Sequence, residues 1–211
     1  MQQYQRLYDS NGYEVMLFPM EYMNISQGEY GSVSHYLAMD FLGWDANGRV
    51  YQCPYYAPCS CRCVAHFGSS NATWQSTNMV HCADGVIRYV TFAFEHDNNP
   101  PAVGTVKSQG DLIGHTGTAG FVTGDHMHFN TANGTYDGYE HIPGSTQWYE
   151  LKNSNHIYDI CYVNDTTIID GNNYNWLIFQ GGSPTPPTPV EEDRKFPWAI
   201  YARLYRNKRN S

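Results

Sequence analysis

Between residues 104 and 124 glycine recurs at 104, 110, 114, 117, 120 and 124. A breaker at such short intervals leaves no room for a helix of useful length. The next segment, Asp125-His126-Met127-His128-Phe129, alternates polar and apolar side chains with the period of a strand. This stretch is therefore turns feeding a short strand, Met127 to Asn130.

The remainder agrees. Val86-Ile87-Arg88-Tyr89-Val90-Thr91-Phe92-Ala93-Phe94 is dominated by β-branched and aromatic residues and reads as the strongest strand. Residues 60–67 and 71–76 read as short strands around Gly68-Ser69-Ser70, and Asp45-Ala46-Asn47-Gly48 is a turn signal. Residues 131–180 read as a loop-rich cover with a strand such as Ile157 to Val163. The expectation is a mostly β fold with few short helices. A first domain spans 1–180. Residues 181–193 form a Pro/Thr-rich linker, extended and semi-rigid. Residues 194–211 form a basic, amphipathic docking peptide with Trp198, Ile200 and Leu204 on its apolar side.

Net charge is −8. A nucleic-acid binder carries a basic stripe to neutralise phosphates, and the only basic cluster here is terminal, Arg203 to Arg209. No apolar run approaches the ~20 residues of a membrane-spanning helix. Met1 to Gln5 is polar, without the basic start and apolar stretch of a secretion leader, so no signal peptide is expected.

The six cysteines sit at 53, 59, 61, 63, 82 and 161. Cys59-Ser60-Cys61-Arg62-Cys63 alternates along a strand, successive members pointing to opposite faces in turn, and lacks the paired Cys-x2-Cys spacing of structural zinc sites. Buried thiols acting as small hydrophobes are the expectation.

His126 and His128 lie two apart in a strand, so both imidazoles enter one cleft, with β-carbons roughly 6 to 7 Å apart. One can bind a metal while the other acts on a reacting oxygen. Met127 and Phe129 pack on the other side. Ser34-His35-Tyr36-Leu37-Ala38-Met39-Asp40-Phe41 offers a nitrogen and an oxygen donor. His96 ends the strongest strand, at a cleft rim. His66, His81, His141 and His156 read as surface or core residues, and His115, in the glycine run, is a candidate cleft residue.

Taken together, His35 and Asp40, then His96, then Gly110 to Phe129 with its His126-Met127-His128, resemble the lysostaphin-type zinc endopeptidases. Tyr56-Ala57-Pro58 is similar to that family's Ala-Pro step before a β-hairpin. The resemblance covers roughly residues 18–130. It implies an antiparallel β-sheet groove, with Zn2+ held by His35, Asp40 and His128 and with His96 and His126 as the catalytic histidines, their division into base and acid left open. The family places its Asp four residues after the first His, and here the separation is five. The implied activity is hydrolysis of peptide bonds in bacterial peptidoglycan stems or cross-bridges. With no leader expected and a Tyr- and Asn-rich composition, a bacteriophage origin follows, either a tail-borne wall-penetrating enzyme or a lysin. The C-terminal peptide would dock onto other tail proteins. The alternatives are a degenerate structural or wall-binding tail component and an amidase cutting between sugar and peptide.

Overall fold

A computed structural model describes residues 1–163 and 166–181. The linker expected over 181–193, apart from Gly181, and the docking peptide expected over 194–211 lie outside them.

The fold is mostly β. The main sheet takes strands β1 (Tyr22–Gln27), β2 (Met39–Phe41), β3 (Cys61–Ala65), β4 (Asn71–Ser76), β5 (Val90–Glu95), β6 (Val106–Lys107), β7 (Met127–Asn133), β8 (Ser154–Asn155) and β9 (Thr167–Asp170). Their order is β6-β3-β4-β5-β7-β2-β1-β9, with β8 also paired to β7. Every pairing is antiparallel except β1 with β9, which is parallel. The β3–β4 hairpin follows Ala57-Pro58, as expected, and Ala57 is tied by backbone hydrogen bonds to Gly110 and Asp111 at the start of the glycine-rich run.

The strongest strand begins later than its composition suggests: Ile87–Arg88 pairs with Val80–His81, and β5 starts only at Val90. β7 runs three residues past the expected Asn130. Ile157–Ile160 is one turn of helix, α1, rather than a strand. The reason is which side chains are buried: Ile157 and Ile160, three apart, face the core together, a helical and not a strand spacing.

The main core lies on one face of the sheet, and a smaller cluster of Ala93, Ala132 and Leu151 lies on the other. Phe94 and Phe129 stack at 4.9 Å, Phe18 and Phe41 tilt together at 4.9 Å, and Trp74 and Phe92 are fully buried. Burial of each such side chain contributes about 1.5–3 kcal/mol. All six cysteines are buried and free. Cys59, Cys61 and Cys63 share the buried face while Arg62 between them is exposed. Burial pushes the Cys63 and Cys82 thiols up to about 11, which keeps them protonated and inert.

Candidate metal centre

One cross-strand row builds the site. Asn71 on β4 pairs with Glu95 on β5, Glu95 with His128 on β7, and His128 with Asp40 on β2. A bulge in β1 then sets Gln27 opposite Asp40. Residues in register point to one face. The neighbouring row, Phe94, Phe129 and Met39, faces the core. The apolar row thus fixes the orientation of the polar one.

His35 enters from the loop before β2. Its Nε2 is 2.9 Å from Asp40 Oδ1 and 3.1 Å from His128 Nδ1, and His128 Nδ1 is 3.0 Å from Asp40 Oδ1. All three residues are buried, and their donor atoms are mutually close enough to hold a metal ion. The five-residue separation of His35 and Asp40 does not keep them apart. The intervening chain turns over a buried carboxylate: Glu150 Oε1 accepts the backbone N–H of Tyr36 at 2.7 Å, Leu37 at 2.8 Å and Ala38 at 3.3 Å. The imidazole of His35 is held on its other nitrogen, where Nδ1 meets Gln27, Ser32 Oγ at 3.2 Å and Ser34 Oγ at 3.0 Å. The Gln27 amide N–H donates to Nδ1, and these contacts together turn the ring so that Nε2 faces the cluster.

The electrostatics favour a cation here. Burial alone would raise the Asp40 carboxyl, but hydrogen bonds from the His128 and His35 imidazoles hold it far below the usual carboxylate range. Burial alone would lower His128, but Asp40 and Glu95 outweigh it and raise its pKa to about 9. A carboxylate facing two imidazoles in a desolvated pocket holds a proton when no metal ion is bound, and a metal cation meets the same demand.

His126 and His96 sit beside this cluster, with ring centroids 4.5 Å apart. Each is oriented by a backbone carbonyl: His126 Nδ1 bonds Gly124 O and His96 Nδ1 bonds Ala119 O, both at 2.9 Å. In each ring Nε2 is the nitrogen left to the cleft, and His126 Nε2 is 3.5 Å from Asp40 Oδ2. Burial and the neighbouring His128 push His96 down to about 4, so it is neutral at pH 7. His96 also carries a φ of 76°, rare for a residue with a side chain. Ser70 O accepts its N–H, and its own carbonyl accepts the N–H of Ala119. Gly117 passes so close to that carbonyl that an added Cβ would lie 2.1 Å from it. The strain is held by the glycine-rich loop on one side and the β3–β4 hairpin on the other.

All five site residues expected from sequence converge on one cleft, lined also by Gln27, Glu95, Phe121 and Trp148. His115 is exposed and does not line it. His81 bonds Asp9 and His156 bonds Glu29, both away from the cleft. Glu150 and Gln27 stand in no sequence motif, whereas Glu95 adjoins His96. Asp125 did have a signal, its place beside His126. It is buried, accepts the Thr116 hydroxyl at 2.6 Å and the Gln52 N–H at 3.1 Å, and pairs with Arg49, which fixes the turn that delivers His126.

Known proteins resemble this chain at two levels. It is 42% identical over 174 residues to Morphogenesis protein 1 of Bacillus phage B103, a match covering 79% of this chain and 45% of that protein. The chain thus spans less than half the length of that relative. No family model matches. Among solved structures it is similar to a zinc-containing peptidase from Vibrio cholerae, with TM-score 0.41 and 15% identity over 61% of this chain and 37% of that one. It is also similar to the catalytic domain of lysostaphin from Staphylococcus simulans, with TM-score 0.36 and 19% identity over 57% of this chain and 80% of that one. The catalytic domain of a prophage-encoded M23 protein from Enterococcus faecalis gives TM-score 0.40 and 15% identity, over 60% and 91%. Among the described residues no helix is long and apolar enough to cross a membrane.

Proposed function

We propose that this chain is a zinc-dependent endopeptidase acting on bacterial peptidoglycan, with the metal on His35, Asp40 and His128. The observation that carries the reading is the mutual approach of their three donor atoms, at 2.9, 3.0 and 3.1 Å. Zinc bonds of about 2.0–2.1 Å in a tetrahedron set ligand atoms about 3.3 Å apart. The triangle is within a few tenths of an ångström of that size. Two nitrogens and one carboxylate oxygen, with a fourth direction open to the cleft, are the donor set of a catalytic rather than a structural zinc.

When bound, zinc supplies Lewis acidity toward a water and the scissile carbonyl. The chain's own residues do the rest. His96 and His126, each held through Nδ1 by a backbone carbonyl, are disposed to accept the proton of the attacking water and to return one to the departing amine. Which takes which role depends on how the peptide lies. The carbonyls of Ala119 and Gly124 hold the two rings so that no tautomer change is needed. Gln27 and the serines keep His35 aimed inward.

The phage relative supports a role in a virion, as a tail-borne enzyme that opens the wall or as a lysin. Residues 194–211, basic and amphipathic in sequence, are proposed to dock onto other tail proteins. The test is mass analysis of products released from purified peptidoglycan by the zinc-loaded protein. New free amines on stem or cross-bridge peptides are expected. Peptides released whole from their sugars would make the protein an amidase, and no release at all would leave a structural role.

A further inference from the structure

Next to the metal cleft lies a second concavity of about 440 Å³, within the roughly 300–1,000 Å³ range of ligand sites. The two share His35 and Trp148 in their walls, so they adjoin. The second is walled by the loop before β2 and by residues 142–148, which connect the paired strands Tyr139–His141 and Tyr149–Leu151. That connection is preformed. Ile142 N bonds Trp148 O at 3.0 Å, Ser145 N bonds Ile142 O at 2.8 Å, and Ser145 Oγ accepts the N–H of Gln147 and of Trp148.

Its chemistry differs from that of the metal cleft. No Asp, Glu, Lys or Arg lines it. Three aromatic rings line it instead, Tyr30, Tyr36 and Trp148, and Tyr30 is 61% exposed. Tyr30 and Tyr36 meet edge to face at 5.1 Å, presenting two differently tilted ring faces. Ser145, Thr146 and Gln147 also line it. Having accepted two N–H groups, the Ser145 hydroxyl is left to donate, and the Trp148 indole N–H makes no hydrogen bond among the described residues. Flat apolar faces interleaved with neutral donors and acceptors suit a neutral ring bearing hydroxyl and amide groups.

We infer that this concavity is a saccharide subsite, binding an N-acetylated sugar of the glycan strand so that the attached peptide reaches the metal centre on the His35 side. The inference rests on the endopeptidase reading for its substrate, but its binding chemistry stands on its own residues. It makes the protein a reader of glycan-linked peptides rather than of free ones.

Two measurements test it. The zinc-loaded protein is assayed on one cross-linked stem peptide in two forms, carrying its disaccharide and freed from it. A preference in kcat/KM for the sugar-linked form is expected, arising in KM. Tyr30→Ala should bring the ratio between the two forms about tenfold closer to one, while Tyr30→Phe retains it. Gln147→Ala, on the exposed connection, should reduce the ratio in the same direction. Separately, β-1,4-linked N-acetylglucosamine oligomers should perturb the intrinsic tryptophan fluorescence of the protein but not of Trp148→Phe, and glucose oligomers lacking the N-acetyl group should perturb neither. Equal kcat/KM on both forms, with no fluorescence response, overturns the subsite and leaves the endopeptidase reading intact. Oligosaccharide binding without cleavage of either form supports the subsite and overturns the endopeptidase reading. An equal loss on both substrate forms in Tyr30→Ala overturns the subsite as well.

Discussion

Asp40 and His128 stand opposite each other on adjacent antiparallel strands, with Asp40 Oδ1 3.0 Å from His128 Nδ1. Strand register, not a loop, sets this pair, so two of the three proposed ligands are placed by the sheet itself. Only His35 is brought in from outside the sheet.

The loop carrying His35 depends on Glu150. Glu150→Ala strips an acceptor from three backbone N–H groups, each costing about 1–3 kcal/mol if left unsatisfied and buried. Zinc affinity should fall about 10–100-fold, the range seen when outer partners of a metal site are lost. Glu150→Gln, which keeps an acceptor oxygen, should recover part of it. Metal titration alongside thermal unfolding separates the effects. Wild-type zinc affinity in Glu150→Ala would reduce the carboxylate to a folding role.

His96 depends on Gly117. An alanine there would press its Cβ onto the His96 carbonyl at 2.1 Å, and backbone must give. A shift of about 1 Å at a reacting group costs on the order of 100-fold in rate. Gly117→Ala should therefore keep its zinc and lose about 100-fold in kcat. Loss of zinc together with activity would show that the clamp supports the whole site instead.

Far from the cleft, Asp9 gives the fold a pH dependence. Burial pushes its carboxyl up, but hydrogen bonds from His81, Tyr13 N–H and Asn11 N–H prevail and bring it below its ordinary value. A carboxyl depressed on folding contributes stability in full above its unfolded pKa of about 3.9 and loses it as pH falls through the folded value. Asp9→Asn should lower stability at pH 7 by about 1–3 kcal/mol and flatten the acid side of the stability profile. Chemical denaturation at pH 7 and pH 3 checks this. Equal destabilisation at both pH values would contradict it.

What could be read from sequence was whatever a local pattern records. His126 and His128 share a face because a strand has period two, and the core-facing Met127 and Phe129 repeat the message. The β content followed from glycine spacing and β-branched runs. Glu150 and Gln27 were invisible because their roles are set by contacts across more than a hundred residues or by a bulge. Ile157 to Val163 misled because a short apolar run is ambiguous between strand and helix until its buried positions are known.

The proposed zinc triad is tested most directly by metal analysis of the purified protein, run beside His128→Ala and Asp40→Ala. One zinc per chain is predicted for the wild type. Each variant should lose more than about 100-fold in affinity, beyond the 10–100-fold that outer partners account for, and peptidoglycan cleavage should fall with it. A wild-type protein that takes up no zinc, or variants that bind it as tightly as the wild type, would contradict the account.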